Sequence, residues 1–329
     1  MTSRTWIAGI ALAAMASTAN AGDRDGTATA EFLNIPVGAR MMGMAGAGVA
    51  SASGAEAIYW NPAGVADGHV SATFTHHAHF AEMTQEYAAV AIPAGNDGSI
   101  GVSFNYFSAG DMVRTTEDQP EGDLGMFDAF SAAAGVTYSR VMTDRVSVGA
   151  TVKYVTETIA EVTQSGVAFD FGFGYDLDYN GLTLGVVMRN IGPQMAFDGS
   201  GLQADSELGV PSSIDAENFE LPAGVNFSAT MNVVDTEASL LAVSIAQDLP
   251  NFGADSFNVG AEYSLYDQYY LRGGFQGVGR ETEYERGGLC AGGGLYLDLN
   301  DSMGLAVDYA YTDMGILDTT HRYSVSLLF

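Results

Sequence analysis

"GARMMGMAGAGVASASGAEAIYWNPAG" (Gly38–Gly64) decides how the whole chain is read. Fifteen residues between Arg40 and Glu56 carry no charge. The stretch is therefore a membrane-spanning helix, a soluble core helix, or a segment that needs small side chains for another reason. A spanning helix needs roughly 20 predominantly apolar residues. Here Gly43, Gly46, Gly48, Ser51, Ser53 and Gly54 interrupt the run, and each glycine costs about 1 kcal/mol in a helix relative to alanine. The third option stands, and the surrounding sequence explains it.

The chain opens "MTSRTWIAGIALAAMASTANA", with Arg4, an apolar run from Trp6 to about Met15, and the small triplet Ala19-Asn20-Ala21. That is the build of a secretory signal peptide over residues 1–21, so the expected mature chain begins at Gly22. Net charge is -28, which leaves no basic surface for nucleic acid. A single cysteine, Cys290, excludes an internal disulfide. Hydrophobic residues make up 47% of the chain and 41 residues are glycine, too apolar for a disordered acidic chain. Yet beyond the signal peptide no window of 18 residues is continuously apolar. The apolar residues must follow another period.

That period is two. Ile100, Val102, Phe104 and Tyr106 share one face, opposed by Gly101, Ser103 and Asn105. Val167, Phe169, Phe171, Phe173 and Tyr175 are opposed by Ala168, Asp170, Gly172 and Gly174. Leu305, Val307, Tyr309 and Tyr311 are opposed by Gly304, Ala306, Asp308 and Ala310. Successive side chains of a strand point to opposite faces. A soluble sandwich would expose charged residues opposite its large ones, whereas here the opposite face is small and polar. The pattern fits lipid outside and a lined lumen inside.

Fourteen segments match this template, roughly 70–80, 85–93, 98–107, 127–139, 145–158, 163–177, 181–191, 221–233, 237–248, 255–265, 269–277, 287–299, 303–313 and 321–329. Alternate connections are short ("AGNDG", "MTD", "DYNG", "DTE", "DQ", "LNDS"), and two of the others, 108–126 and 192–220, are long. An even strand number with short periplasmic turns and longer outer loops is the pattern of a bacterial outer-membrane barrel. The expected fold is all-β, a 14-stranded antiparallel transmembrane β-barrel spanning the outer membrane, with both termini periplasmic. The chain closes on "HRYSVSLLF", with Tyr323, Val325, Leu327 and Phe329 on one face, the kind of terminal strand that barrel assembly machinery reads. The opening stretch then reads as an N-terminal hatch or plug, residues 22–67, ahead of the barrel at 68–329. Small residues allow close approach to a wall, and Met41, Met42 and Met44 can fill irregular gaps. Asn61-Pro62 initiates a turn.

"FLNIPVGARMMGMAGAGVA" and "AEAIYWNPAGVA" resemble the N-terminal signature of the PorV/PorQ family of outer-membrane proteins, and "DTTHRYSVSLLF" is similar to that family's closing strand. The family sits with the FadL-type fatty-acid transporters. The resemblance implies a fourteen-stranded barrel, a hatch, and an Asn-Pro-Ala turn within that hatch. It also implies, for some members, a role in type IX secretion, with secreted proteins bearing C-terminal signal domains as partners.

The strand phase points several charged residues inward: Lys153, Asp170, Arg189, Glu262, Arg272 and Asp308. Charges in such a place pair, so a lumen network docking the hatch is expected, with Arg40 and Glu56 among its partners. The rival reading makes Lys153, Arg189 and Arg272 an anion site for a fatty-acid-like solute. His77 and His79 also fall on the inward phase, with His76 opposite, but no third metal ligand is visible and they read as a polar strand end. Loop 192–220 carries Asp198, Asp205, Glu207, Asp215, Glu217 and Glu220 without a basic residue, a solvated acidic surface lacking EF-hand spacing. Tyr138, Tyr154 and Tyr311 read as girdle anchors in lipid, and Cys290 as a small inward hydrophobe.

No nucleophile–base–acid set and no Gly-x-Ser-x-Gly elbow can be read, so neither an enzyme nor a cofactor is expected. Two functions remain open beside a purely structural barrel. One is binding and shuttling of secreted cargo at the loops 108–126 and 192–220. The other is passage of a hydrophobic small-molecule ligand gated by the hatch, for which an apolar pocket lined by Met41, Met42 and Met44 would speak.

Overall fold

The computed structural model describes residues 26–95, 98–122, 124–205, 211–278 and 288–329. The expected signal peptide, and residues 22–25 of the expected hatch, lie outside the described residues. Among the described residues no helix is long and apolar enough to cross a membrane.

Fourteen strands form one closed antiparallel barrel. They are β1 (Ser71–Ala78), β2 (Thr84–Pro93), β3 (Gly98–Val113), β4 (Met126–Thr143), β5 (Val146–Ile159), β6 (Val162–Asp176) and β7 (Thr183–Ile191), followed by β8 (Gly224–Asp235), β9 (Ser239–Pro250), β10 (Ser256–Leu265), β11 (Tyr269–Phe275), β12 (Leu289–Asn300), β13 (Met303–Asp313) and β14 (Thr319–Leu328). Each strand pairs with its sequence neighbours. The ring closes where β1 meets β14, from Ser71 opposite Leu328 to Ala78 opposite His321. Closure satisfies backbone groups that lipid cannot.

The alternation read from sequence sets which face each side chain takes. On β3, Val102 and Phe104 are exposed while Gly101 and Asn105 are buried. On β6, Phe169 and Phe171 are exposed while Ala168 and Asp170 are buried. The outward surface is a band of large apolar side chains that would be indefensible in water and is normal in lipid.

Three expected boundaries shift. The ladder between β3 and β4 resumes past an irregularity at Ser108/Asp111 and continues to Val113 opposite Met126, so the first part of the expected loop 108–126 is strand. Apolar alternation stops there while backbone pairing does not, because a hairpin projecting past the lipid needs no greasy face. β14 likewise begins at Thr319, ahead of the alternating run. The region 192–220 is no plain loop either. Met195 bridges Phe219, Asp198–Gly199 extends the sheet beside Val162 and Thr163 of β6, and Gln203–Asp205 pairs with Pro211–Ser213. β7 ends at Ile191, opposite Phe169, and Met195 and Leu221 are buried beside the upper part of β6, in a cluster with Ala168, Phe32 and Leu33.

Residues 26–67 fold into short helical turns at Glu31–Asn34, Ala39–Gly43, Ala47–Ser51, Gly54–Glu56, Ala57–Trp60 and Pro62–Asp67. They touch the inward faces of strands all around the ring, so they occupy its interior. Wall glycines make room for them. A Cβ on Gly149 of β5 would lie 2.7 Å from the Ala63 nitrogen, and one on Gly274 of β11 would lie 2.7 Å from the Met44 carbonyl carbon.

Candidate functional site

The inner segment is held to the wall by directed contacts. Asn61 caps the turn Pro62–Asp67, its Oδ1 accepting from the Ala63 N–H at 3.1 Å while its Nδ2 donates to the Phe173 carbonyl at 3.3 Å. Pro62 stands at the first helical position, where its missing N–H costs nothing. The Ala39 N–H donates to Ser324 Oγ on β14 at 2.8 Å, and the Ala55 N–H to Ser71 Oγ on β1 at 2.9 Å. Trp60 Nε1 donates to the Val37 carbonyl at 3.0 Å, and the Tyr59 hydroxyl reaches the Leu33 and Ile35 carbonyls. Two aromatic rings are thereby locked edge to face, 5.3 Å apart.

The charged side chains sort into three sets. Arg40 donates to both carboxylate oxygens of Glu262, at 3.1 and 3.3 Å, and its Nη1 lies 4.0 Å from Glu56. Arg272 donates to the same Glu262 at 2.6 Å and to Asp308 at 2.6 Å. In the second set Lys153 lies 2.8 Å from Asp170 and also donates to Asn190. In the third, Arg189 pairs with Asp248 at 3.3 Å and lies over the rings of Tyr59 and Trp60, 5.7 and 6.0 Å from their centroids. Asp248 also accepts from Asn226 and Asn258. Asp248 was not among the residues singled out from sequence, although its inward phase on β9 could have flagged it. Glu56 is largely withdrawn from water between these charges. Removal from water, with Asp308 and Glu262 nearby, pushes its carboxyl up to about 7, against the opposing pull of Arg40 and Arg272.

Met41 and Met44 fill space rather than line a pocket. Both are buried, Met44 against Gly260 and Gly274. Met42 alone of the three borders a cavity. The free volume lies elsewhere. At the end opposite the C-terminus, a cavity of about 480 Å³ opens between the inner segment and β7–β10, lined by Tyr59, Trp60, Val225, Leu249 and Phe252 with Arg189 and Asp248. Beside it, sharing Asn34, Pro36 and Gln276, lies a cavity of about 240 Å³ that reaches His79 and Arg322. At the C-terminal end a cavity of about 440 Å³ is bordered by the Arg40, Glu56, Glu262, Arg272 and Asp308 set.

His77 is buried on the inward face, its Nδ1 hydrogen-bonded to Gln85 Oε1 at 3.2 Å, and its ring lies 4.8 Å from that of His79. His76 faces outward and stacks on Tyr323. Among the described residues no group of three or more His, Cys, Asp or Glu side chains is placed to hold a metal ion. Asp198, Asp215, Glu217 and Glu220 are exposed; Glu207 and the side chain of Asp205 lie outside the described residues. Tyr138, Tyr154, Tyr323, Val325 and Phe329 are exposed, Tyr311 and Leu327 partly so, and Cys290 is buried.

No protein-family model matches the chain, and no curated protein matches it. Solved structures do. The Pseudomonas putida toluene transporter TodX aligns at 13% identity over 94% of this chain and 99% of its own, with a TM-score of 0.58. The monoaromatic hydrocarbon channel CymD aligns at 14% identity, covering 89% and 97%, with a TM-score of 0.57. The Ralstonia pickettii toluene transporter TbuX aligns at 12% identity, covering 89% and 97%, with a TM-score of 0.54. This chain has their fold. It is a fourteen-stranded barrel of the outer-membrane kind.

Proposed function

We propose that this protein is a non-enzymatic outer-membrane channel for hydrophobic small molecules, with the segment 22–67 acting as its hatch. The observation that carries the reading is the filled lumen. Residues 26–67 leave clefts against the wall, and those at the end opposite the C-terminus are bordered by Tyr59, Trp60, Leu249, Phe252 and Met42. An open aqueous pore would serve hydrophilic solutes. A closed barrel with partly apolar clefts serves solutes that partition out of water into fitted surfaces. The shared fold with proteins named as hydrocarbon channels and toluene transporters supports the same reading. With the C-terminus periplasmic, as expected, the 480 Å³ cavity would face the outer side, where a solute arrives.

The PorV/PorQ resemblance and its cargo-shuttling role rest on the N-terminal and C-terminal motifs alone. No feature of the fold favours docking of secreted proteins, and the channel is the stronger reading. Its test is entry of labelled toluene into vesicles carrying the purified protein. Entry no faster than into protein-free vesicles, together with recovery of large secreted proteins on affinity capture from the native membrane, would replace the channel with the shuttle.

A further inference from the structure

Arg322, on the inward phase of β14, is the cation that the charge sets leave over. The side chain is 2% exposed. A guanidinium carries five N–H donors. Here Nε donates to the Pro36 carbonyl at 3.3 Å, and Nη1 to Thr312 Oγ1 at 3.1 Å and Thr320 Oγ1 at 3.5 Å. Among the described residues no acceptor takes Nη2 and no carboxylate pairs with Arg322. Arg40, Arg189, Arg272 and Lys153 each face an acid. A charge withdrawn from water without a counter-charge is held at considerable cost, and such a residue is found where something else completes it.

Its surroundings are incomplete in the same way. His77 lies directly across the β1–β14 pairing from Arg322, and its Nε2 is buried without a partner, as is Nδ1 of His79. Arg322 and His79 border the 240 Å³ cavity together with Ile35, Pro36, Met42 and Met314. One wall of the cavity is thus cationic and polar, and the other is apolar. Glu31, the acid on its border, is exposed and accepts from Asn34 Nδ2 at 3.3 Å.

From this geometry we infer that the cavity is a binding subsite for a small organic carboxylate. The carboxylate accepts from Nη2 of the Arg322 guanidinium, and the apolar body lies against Ile35, Pro36, Met42 and Met314. A hydrogen bond from a charged guanidinium nitrogen to a carboxylate is among the strong ones. An apolar cavity of roughly 150 Å³ suffices for benzene, so the volume here suits a single-ring acid. The assignment rests on the channel reading and narrows its solute class, from neutral hydrocarbons to amphiphilic anions.

The test is equilibrium binding of benzoate and of neutral toluene to the detergent-solubilised full-length protein, wild type and Arg322→Gln. Heat-modifiable migration on gels verifies that each barrel is folded. The expected result is that the substitution weakens benzoate by about tenfold or more, the worth of a charge-assisted hydrogen bond, and leaves toluene unchanged, with Arg322→Lys intermediate. Equal benzoate affinity in wild type and Arg322→Gln overturns the assignment. Should Arg322→Gln not fold, the wild type decides alone, because benzoate must bind more tightly than benzyl alcohol, its neutral analogue. Toluene binding without benzoate binding removes this subsite and leaves the channel standing. Benzoate binding without accelerated toluene entry keeps the subsite and removes the hydrocarbon channel.

Discussion

Arg40, on the inner segment, donates from Nε to Oε2 of Glu262 on β10 across 3.1 Å, and the same oxygen accepts from Arg272 at 2.6 Å. One wall carboxylate therefore serves two cations that are 232 residues apart in the chain, Arg272 being part of the wall and Arg40 part of what fills it. Loss of Glu262 leaves Arg40 with only Glu56, 4.0 Å away, and Arg272 with only Asp308, whereas loss of Arg40 leaves Glu262 still held by Arg272. Breaking a buried pair by removing one partner costs about 3–5 kcal/mol. Glu262→Gln is expected to destabilise by that order and Arg40→Gln by distinctly less, read as shifts in the thermal unfolding of the purified barrel. The reverse order would mean that Glu262 is not the shared anchor.

Docking of the inner segment depends on pH through Glu56. Its carboxyl is pushed from 4.5 to about 7 by burial first, with Arg40 opposing, Asp308 and Glu262 adding to the rise and Arg272 opposing. A raised carboxyl pKa means that the docked state holds a proton which the undocked state releases. Stability of docking is therefore full below about pH 4.5, falls as pH rises from 4.5 to 7, and is flat above that window. Hydrogen exchange of backbone amides in 39–60, corrected for the intrinsic pH dependence, measures this. Glu56→Gln is expected to remove the slope between pH 4.5 and 7, and an unchanged slope in that variant would place its origin elsewhere.

Wall glycines act as seats for the inner segment. A Cβ at Gly172 would lie 2.7 Å from the Ala63 nitrogen and 2.9 Å from Pro62 Cδ, while one at Gly273, on the lipid-facing phase of β11, would meet nothing within 4 Å. Overpacking of this kind costs about 1–3 kcal/mol. Gly172→Val is expected to displace the turn at Asn61-Pro62 and raise ion conductance in planar bilayers above that of the wild type. Gly273→Val serves as the control and should conduct like the wild type. Equal conductance of all three would show that the turn accommodates the new side chain.

Trp60 reports on the larger cavity. The chain has two tryptophans, Trp6 within the expected signal peptide and Trp60 bordering the 480 Å³ cavity, so fluorescence of the processed protein comes from that cavity. A saturable change in intensity on adding toluene is expected. Trp60→Ala, which also removes the bond to the Val37 carbonyl, should abolish the signal and cost about 3–5 kcal/mol by cavity formation. A wild-type signal that does not saturate would indicate partition into detergent rather than binding.

Much of the fold was legible because its cause is local. Side chains alternate along a strand regardless of what lies far off in sequence, and lipid outside with a lined lumen inside turns that alternation into the contrast between Phe104 and Asn105, or Phe171 and Asp170. The count of fourteen strands follows from the same contrast and from the spacing of short turns. The boundaries move where β3 and β4 run past the lipid, at the start of β14 and within 192–220, because water places no demand on the outward face there. The small residues of 38–64 announced close packing, but not against which strand.

Partner choice belonged to the tertiary structure. The strand phase put Lys153, Asp170, Arg189, Glu262, Arg272 and Asp308 inward. Which acid meets which base depends on strand register and on the wall that each turn of 26–67 touches. Arg189 pairs with Asp248 because β7 and β9 both flank β8. Arg40 reaches Glu262 because Ala39–Gly43 packs against β11 and β12, with β10 next in the wall. The same phase that turns Tyr323 outward turns Arg322 inward, so its burial was readable from sequence. Its lack of an acid among the described residues was not, because an absent partner is a property of everything that surrounds a side chain in space.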